Sequence, residues 1–364
     1  MDNNRVFAIW LSSINGIGSK TFNKLVGYFG SPEAVYKADN KELIKYLGNG
    51  VTYKNIVEAK KQNPFKNIDI LIKNKIEVLL ITDEDYPELL RNIYNPPPIL
   101  YIRGKLKKCD EISIAVVGSR NATAYGKFIA EKISYDIAKH GITVISGMAR
   151  GIDSYSHKGA IKAQGRTIAV LGCGVNITYP KENEKLMNEI IENGAVISEF
   201  PIDYLPVSGN FPARNRIISG LSLGVLVVEA SVKSGSLITA KFALEQGRDV
   251  FAVPGNIISA YSKGTNELIK QGAKLVNDVN DILEEFDLRT DIKERINEQM
   301  INTLNNDEKK VYEFICDCTR DIDEIMNYMN YSVSKINYIL TSLTVKGFIN
   351  RVPGNKYEKN FEKF

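Results

Sequence analysis

Ile112-Ser113-Ile114-Ala115-Val116-Val117-Gly118-Ser119-Arg120 is the stretch whose reading decides the fold. A β-branched, nearly continuous apolar run of this length suits a strand buried on both faces, and the glycine that closes it suits a sharp turn into a helix. The same pattern returns at Thr143 to Ser146, Thr167 to Leu171, Ala195 to Ser198, Val225 to Glu229 and Val250 to Val253. Each run is followed by roughly ten or more residues of helical character, which suits right-handed βαβ crossovers. The expected fold class is therefore α/β, with a Rossmann-like parallel sheet covered on both faces.

Upstream, residues 5 to 60 read as short helices. Apolar positions recur at helical spacing in Phe7, Ile9 and Leu11 and again in Phe22, Leu25 and Val26, with Gly16, Gly18 and Gly30 as punctuation. The turn Gly16-Ile17-Gly18 between short helices suits a helix-hairpin-helix (SAM-like) unit that presents backbone amides to DNA. Next come an apolar run at Ile76 to Ile81, a helix after Asp85, the helix-stopping Asn95-Pro96-Pro97-Pro98, and an edge strand at Leu100 to Ile102. Downstream, residues 284 to 306 are charged and asparagine-rich, either a flexible linker or an exposed helix. The helical segments Glu308 to Cys316, Ile322 to Met329 and Ser334 to Lys346, followed by a hairpin through Pro353-Gly354-Asn355, have winged-helix order. The expected division is 1–65 helical, 66–284 Rossmann-like, 285–304 linker and 305–364 winged-helix-like.

Composition limits the function classes. The 364 residues are 44% hydrophobic and 25% charged, average for a globular protein, and no apolar stretch is long enough to span a bilayer. The polar start Met1-Asp2-Asn3-Asn4-Arg5 lacks the features of a secretory signal, so a cytoplasmic location without membrane association is expected. The 47 basic residues nearly cancel 43 acidic ones, and a net charge of +4 does not by itself point to nucleic acid. Cys109 and Cys173 stand alone, Cys316 and Cys318 lack zinc spacing, and His140 and His157 are assigned structural roles; neither a metal nor a cofactor is expected.

The candidate chemistry lies at the carboxyl ends of the strands, where open α/β sheets bind ligands. Gly118-Ser119-Arg120 combines a backbone that a phosphate can approach, a helix start and a guanidinium. Ser146-Gly147-Met148-Ala149-Arg150-Gly151-Ile152-Asp153 is a second such loop, in which Asp153 either caps the helix or orients an arginine. One such loop is an ordinary helix start; two side by side favour an anion site. The third strand end, Leu171-Gly172-Cys173-Gly174, leads to Lys181, either a phosphate contact or a solvated lysine. Asn210-Phe211-Pro212-Ala213-Arg214-Asn215-Arg216 offers an aromatic beside arginines, either for stacking bases while tracking a backbone or as a core-anchored helix entry. Glu229, before Ser234-Gly235-Ser236, reads as a base, a ribose acceptor or, preferably, an ion-pair partner for an arginine. A phosphate loop of the Walker type is absent, since Gly16 to Thr21 has neither its length nor a preceding strand.

Taken together, Val117 to Arg120, Ser146 to Asp153, Phe211 to Ile218, Ser234 to Ala240, Gly247 to Gly255 and Gly264 to Ile269 resemble the DNA-processing protein A (DprA/Smf) family. The resemblance covers about residues 80 to 276 strongly and the flanks more loosely. It implies sequence-independent binding and protection of single-stranded DNA, loading of RecA recombinase during natural transformation, and no catalytic step. By position, Arg120 resembles the family's main backbone-binding arginine, Ser146, Gly147 and Gly151 line the same pocket, Lys181 resembles a DNA-contacting residue and Phe211 a base-stacking aromatic. The DNA-binding set is completed by Gly118, Ser119, Met148, Ala149, Arg150, Asn210, Arg214, Asn215, Ser234, Gly235 and Ser236. The resemblance also implies a homodimer formed around Ile257 to Ile269. In the tail, Cys316-Asp317-Cys318 and Asp321-Ile322-Asp323 depart from the pattern and argue against strong duplex binding.

Two other readings predict different behaviour. A Rossmann-like hydrolase of nucleoside monophosphates, using Glu229, turns over nucleotide. A winged-helix transcription regulator prefers one duplex sequence.

Overall fold

The computed structural model describes residues 2–286, 304–316, 319–329, 331–346 and 348–360. It divides into two compact units, Met1–Ile282 and Leu283–Phe364. Of the segment expected as a linker, residues 287–303 lie outside the described residues, as do Asp317 and Cys318.

The first unit opens with helices α1 (Asn3–Ser12), α2 (Ser19–Phe29), α3 (Pro32–Lys37), α4 (Asn40–Leu47), α5 (Val51–Ala59) and α6 (Ile68–Lys73). Each of α1, α3 and α4 starts on a side chain, Asp2, Ser31 or Asp39, that accepts from a first-turn amide. In the turn before α2, Gly16 has φ +86, a conformation that favours glycine. The sheet strands follow: β1 (Glu77–Leu80), β2 (Ile99–Gly104), β3 (Ser113–Val117), β4 (Thr143–Ser146), β5 (Thr167–Val170), β6 (Gly194–Ser198), β7 (Gly224–Val227), β8 (Asp249–Ala252) and β9 (Lys274–Leu275). Between them run α7 (Glu88–Arg91), α8 (Ala124–Lys139), α9 (Ile152–Lys162), α10 (Glu184–Asn193), α11 (Asn210–Gly220), α12 (Ser236–Glu245) and α13 (Lys263–Lys270), and α14 (Val279–Glu285) comes after β9.

The sheet is nine-stranded, in the order β1-β2-β6-β5-β4-β3-β7-β8-β9. It is parallel from β6 to β9, while β2 pairs antiparallel with both β1 and β6. This corrects one expectation. Leu100 to Ile102 is an interior strand, because the apolar run at Ile76 to Ile81 supplies β1 and takes the edge. The chain moves outward from β3 through β4 and β5 to β6, then crosses back to lay β7 on the other side of β3. The direction therefore switches between β3 and β7, where an open α/β sheet leaves a crevice.

Alternation along the strands feeds two cores. Ile99, Tyr101, Ala169 and Val196 face one side, where they pack with Ile9, Leu11, Phe22, Leu25 and α10. Leu100, Ile102, Ile168, Val170, Ala195 and Ile197 face the other, against Leu90, Ile217, Ile218, Ala240 and Ala243. The amino-terminal helices thus share a core with the sheet. A polar cluster adds to that contact: Arg216 Nη1 lies 2.6 Å from Glu199 Oε1, and Ser19 Oγ donates to Glu199 Oε2 at 2.9 Å.

The second unit contains α15 (Asn306–Cys316), β10 (Arg320–Asp321), α16 (Ile322–Met329), α17 (Val333–Val345), β11 (Ile349–Val352) and β12 (Lys356–Lys359). Its sheet has the order β10-β12-β11. Its own core includes Val311, Ile315, Ile325, Ile336, Leu340, Leu343 and Phe348. Among the described residues of both units, no helix is long and apolar enough to cross a membrane.

Candidate nucleic-acid interface

A cleft of about 620 Å³ lies at the switch point. It is lined by Gly118, Ser119, Arg120 and Asn121 after β3, Ala149 and Asp153 after β4, Tyr179 after β5, Ser208 after β6, and Ser231, Ser234, Gly235, Ser236 and Thr239 after β7. Phe211, Arg214 and Asn215 of α11 form its back.

Ser119 ties three of these loops together. Its amide donates to Glu229 O at 2.8 Å, and its carbonyl accepts from Ile152 N at 3.2 Å. Gly151, at φ +73, packs so closely under the carbonyls of Ser119 and Arg120 that a side chain has no room there. Asn183 joins the next pair of loops, donating to Met148 O at 2.9 Å and to Ser154 Oγ at 2.8 Å. The loops are preorganised by hydrogen bonds between segments distant in sequence.

Two cleft helices begin without a side-chain cap. The N-cap residues of α11 and α12, Gly209 and Gly235, supply no side-chain hydrogen bond, and neither helix carries an acidic residue in its first turn; local contacts take several of the first amides, Asn210 N donating to Val207 O, Ser236 N to Ser234 Oγ, Leu237 N to Ser234 O and Ile238 N to Gly235 O. The positive ends of their dipoles favour an anion in the cleft. The start of α8 is closed instead. Glu229 Oε2 accepts from Thr123 N at 2.9 Å, Glu229 Oε1 accepts from Thr123 Oγ1 at 2.5 Å, and Thr123 Oγ1 accepts from Gly126 N at 3.0 Å. This corrects the expected ion pair of Glu229: the carboxylate, 4% exposed, is held by a helix start and not by an arginine. A bare Gly126 is required because a Cβ there meets that carboxylate. The hydrolase reading has no free base at this position.

The expected arginines separate by burial. Arg120 is exposed, with its guanidinium carbon 5.3 Å from the centre of the Phe211 ring. Phe211 stacks in turn on Tyr179, with ring centres 5.3 Å apart. A cation and two rings therefore face one opening, the combination that tracks a backbone and stacks bases. Arg214 is buried, and its guanidinium donates to the carbonyls of Gly147, at 2.9 Å, and Val170. Burial lowers its pKa to about 10, with Asp153 opposing. Asp153, also buried and accepting from Ala149 N at 3.3 Å, has its pKa raised by burial against the pull of Arg214.

Other expected residues serve from beneath or stand aside. Ser146 is buried and donates to Val116 O at 2.7 Å, and Met148 is fully buried at φ +53. Gly147 is covered by the Arg214 guanidinium. Arg150 and Lys181 are exposed but do not line the cleft, and Asn210 faces a neighbouring hollow beside Gly16 and Phe200. Asn215 lines the cleft and donates to Gly235 O at 3.3 Å. The sequence reading missed Tyr179, along with Asn121, Ser208, Ser231 and Thr239. An aromatic two residues before Lys181 is a usable signal for the first; the serines carry none.

The family model described as DNA recombination-mediator protein A matches residues 77–287. Protein Smf of Synechocystis sp. is 39% identical over 284 residues, 76% of this chain and 71% of that protein. DNA processing protein DprA of Bacillus subtilis is 45% identical over 212 residues, 58% of this chain and 71% of that protein. The X-ray structure of DNA processing protein A from Streptococcus pneumoniae covers 78% of this chain and 98% of its own, with a TM-score of 0.66 and 35% identity. The DNA processing protein A structure from Helicobacter pylori covers 58% and 95%, with a TM-score of 0.53 and 31% identity. The match spans the sheet, the crevice and every loop that lines it, and the chain belongs to the DNA recombination-mediator protein A family.

Proposed function

We propose that this protein binds single-stranded DNA of any sequence in the switch-point cleft, protects it, and loads RecA recombinase onto it as a homodimeric, cytoplasmic recombination mediator in natural transformation. One observation carries the reading: the exposed Arg120 guanidinium beside the Phe211 ring, in an open crevice lined by the first turns of α11 and α12. The Helicobacter pylori relative is described by a single-stranded DNA binding mode, which supports the same ligand here. Recombinase loading is supported by the family's description as a recombination mediator. The contacts to DNA are assigned to Arg120, Phe211, Asn215, the backbone of Gly118 and Gly235 and the hydroxyls of Ser119, Ser234 and Ser236, with Tyr179 as a second stacking ring.

The dimer reading is supported by exposed apolar side chains around α12 and α13, with Ile257 and Ile258 each 84% exposed and Val232 68%. The second unit is read as winged-helix-like from its helix and hairpin order.

The test is a fluorescence-anisotropy titration of single-stranded against duplex oligonucleotides at two salt concentrations. Tight, salt-sensitive preference for single strands of unrelated sequence is expected. Equal binding of both forms, or turnover of a nucleoside monophosphate, overturns the reading.

A further inference from the structure

In the loop after β4, Arg150 is the side chain that carries a positive charge into solvent, and it does so already engaged. Glu182, from the turn after β5, takes the guanidinium in a fork: Nε donates to Oε1, and Nη2 donates to Oε2 at 3.0 Å. The two side chains are 64% and 53% exposed, so water surrounds the pair. Glu182 follows Tyr179 by three positions, and Tyr179 lines the cleft and stacks on Phe211. The pair therefore bridges two strand-end loops at the cleft rim. Lys181, beside it, is exposed and has no ion pair within 4.0 Å among the described residues.

A guanidinium fork presents the same parallel donors to a carboxylate as to a phosphodiester. An exposed pair of this kind is held weakly, and a polyanion is able to displace it. From this geometry we infer that Glu182 is a built-in competitor for the DNA backbone: it occupies Arg150 in the free protein and must be evicted before a phosphate binds there. Glu182 thereby lowers single-strand affinity at the rim and favours ligands with several linked phosphates over single anions, since one phosphate gains little from evicting it. The inference rests on the proposed single-strand binding and adds an affinity-setting residue to it.

The experiment titrates a labelled oligothymidylate into the full chain by fluorescence anisotropy across a salt series, using the parent protein, Glu182→Gln, Arg150→Gln and the double variant. Both positions are on the surface, and unchanged melting temperatures check folding. Glu182→Gln is expected to bind about two- to fivefold tighter at low salt. Its log affinity should fall with log salt at least as steeply as the parent's, since Arg150 reaches the same phosphate with no carboxylate to displace. The gain must be larger with Arg150 present than in the Arg150→Gln background. Unchanged or weaker binding by Glu182→Gln overturns the inference, because the carboxylate then merely positions Arg150. An equal gain in both backgrounds also overturns it, because the carboxylate then only repels the strand. A parent protein that ignores single strands defeats the proposed function itself, an outcome separable from either of these.

Discussion

Arg214 donates from Nη1 to the carbonyl of Gly147 at 2.9 Å, so a cation from α11 is spent holding the loop after β4. The same nitrogen donates to Val170 at the end of β5. Arg214 therefore fixes the spacing of two strand ends from below, and the exposed charge of the cleft is left to Arg120.

Arg214→Met is expected to destabilise the first unit by about 3 kcal/mol, because two buried carbonyls lose their donor and buried Asp153 loses a nearby positive charge. Urea denaturation followed by circular dichroism reads the change. A midpoint equal to the parent's contradicts the role assigned to Arg214.

Arg120→Ala should leave the melting temperature within about a degree, since an exposed side chain is removed. Single-strand affinity should fall by about tenfold or more at low salt, as for the loss of a desolvated arginine anchor. Unchanged affinity rejects the cleft as the binding site.

Phe211→Leu removes the ring that Arg120 and Tyr179 pack against. The expected loss is about 1 to 3 kcal/mol of binding if a base stacks there. Competition among oligonucleotides of different base composition checks it: the loss should be similar for each, because every base has a face to stack.

His157 predicts a pH dependence of stability. It is fully buried, and its pKa is lowered to about 3 by burial first and by Arg214 second. The Thr167 hydroxyl donates to Val144 O at 2.8 Å, so Nδ1 of His157 is the donor in its 2.6 Å bond to Thr167. Protonation of Nε2, which has no partner, then places an unpaired charge in the core. The unfolded chain binds the proton first, below about 6.5, so this contribution is complete above that pH and is lost as pH falls toward 3. Between pH 6.5 and 5 the loss is about 2 kcal/mol. His157→Asn, which keeps a donor toward Thr167, should flatten the fall of melting temperature over that range relative to the parent.

Glu229→Gln should cost about 1 to 2 kcal/mol, as for a lost helix cap, because an amide cannot accept from both the amide and the hydroxyl of Thr123. Thermal melting measures this. Assays of phosphate or base release from nucleoside monophosphates should give the same background for parent and variant, and turnover abolished by the substitution would restore the hydrolase reading.

The sequence by itself determined the elements and the family. β-branched runs between Ile112 and Val253 specify strands because a buried parallel strand needs apolar residues on both faces, a strictly local requirement. The glycines at 118, 147 and 151 mark strand-to-helix turns for an equally local reason, and the six sequence blocks identify the family. What only the tertiary structure decided is which residues face whom. Arg120 and Arg214 look alike in sequence, yet one is exposed and the other buried, because carbonyls of Gly147 and Val170 lie under α11. Glu229 read as an ion-pair partner and became the clasp of Thr123, from 106 positions upstream. Leu100 to Ile102 read as an edge and became interior once β1 paired beside it. Periodicity records how a residue meets its neighbours along the chain, whereas burial, charge pairing and strand order depend on partners that only the folded sheet brings together.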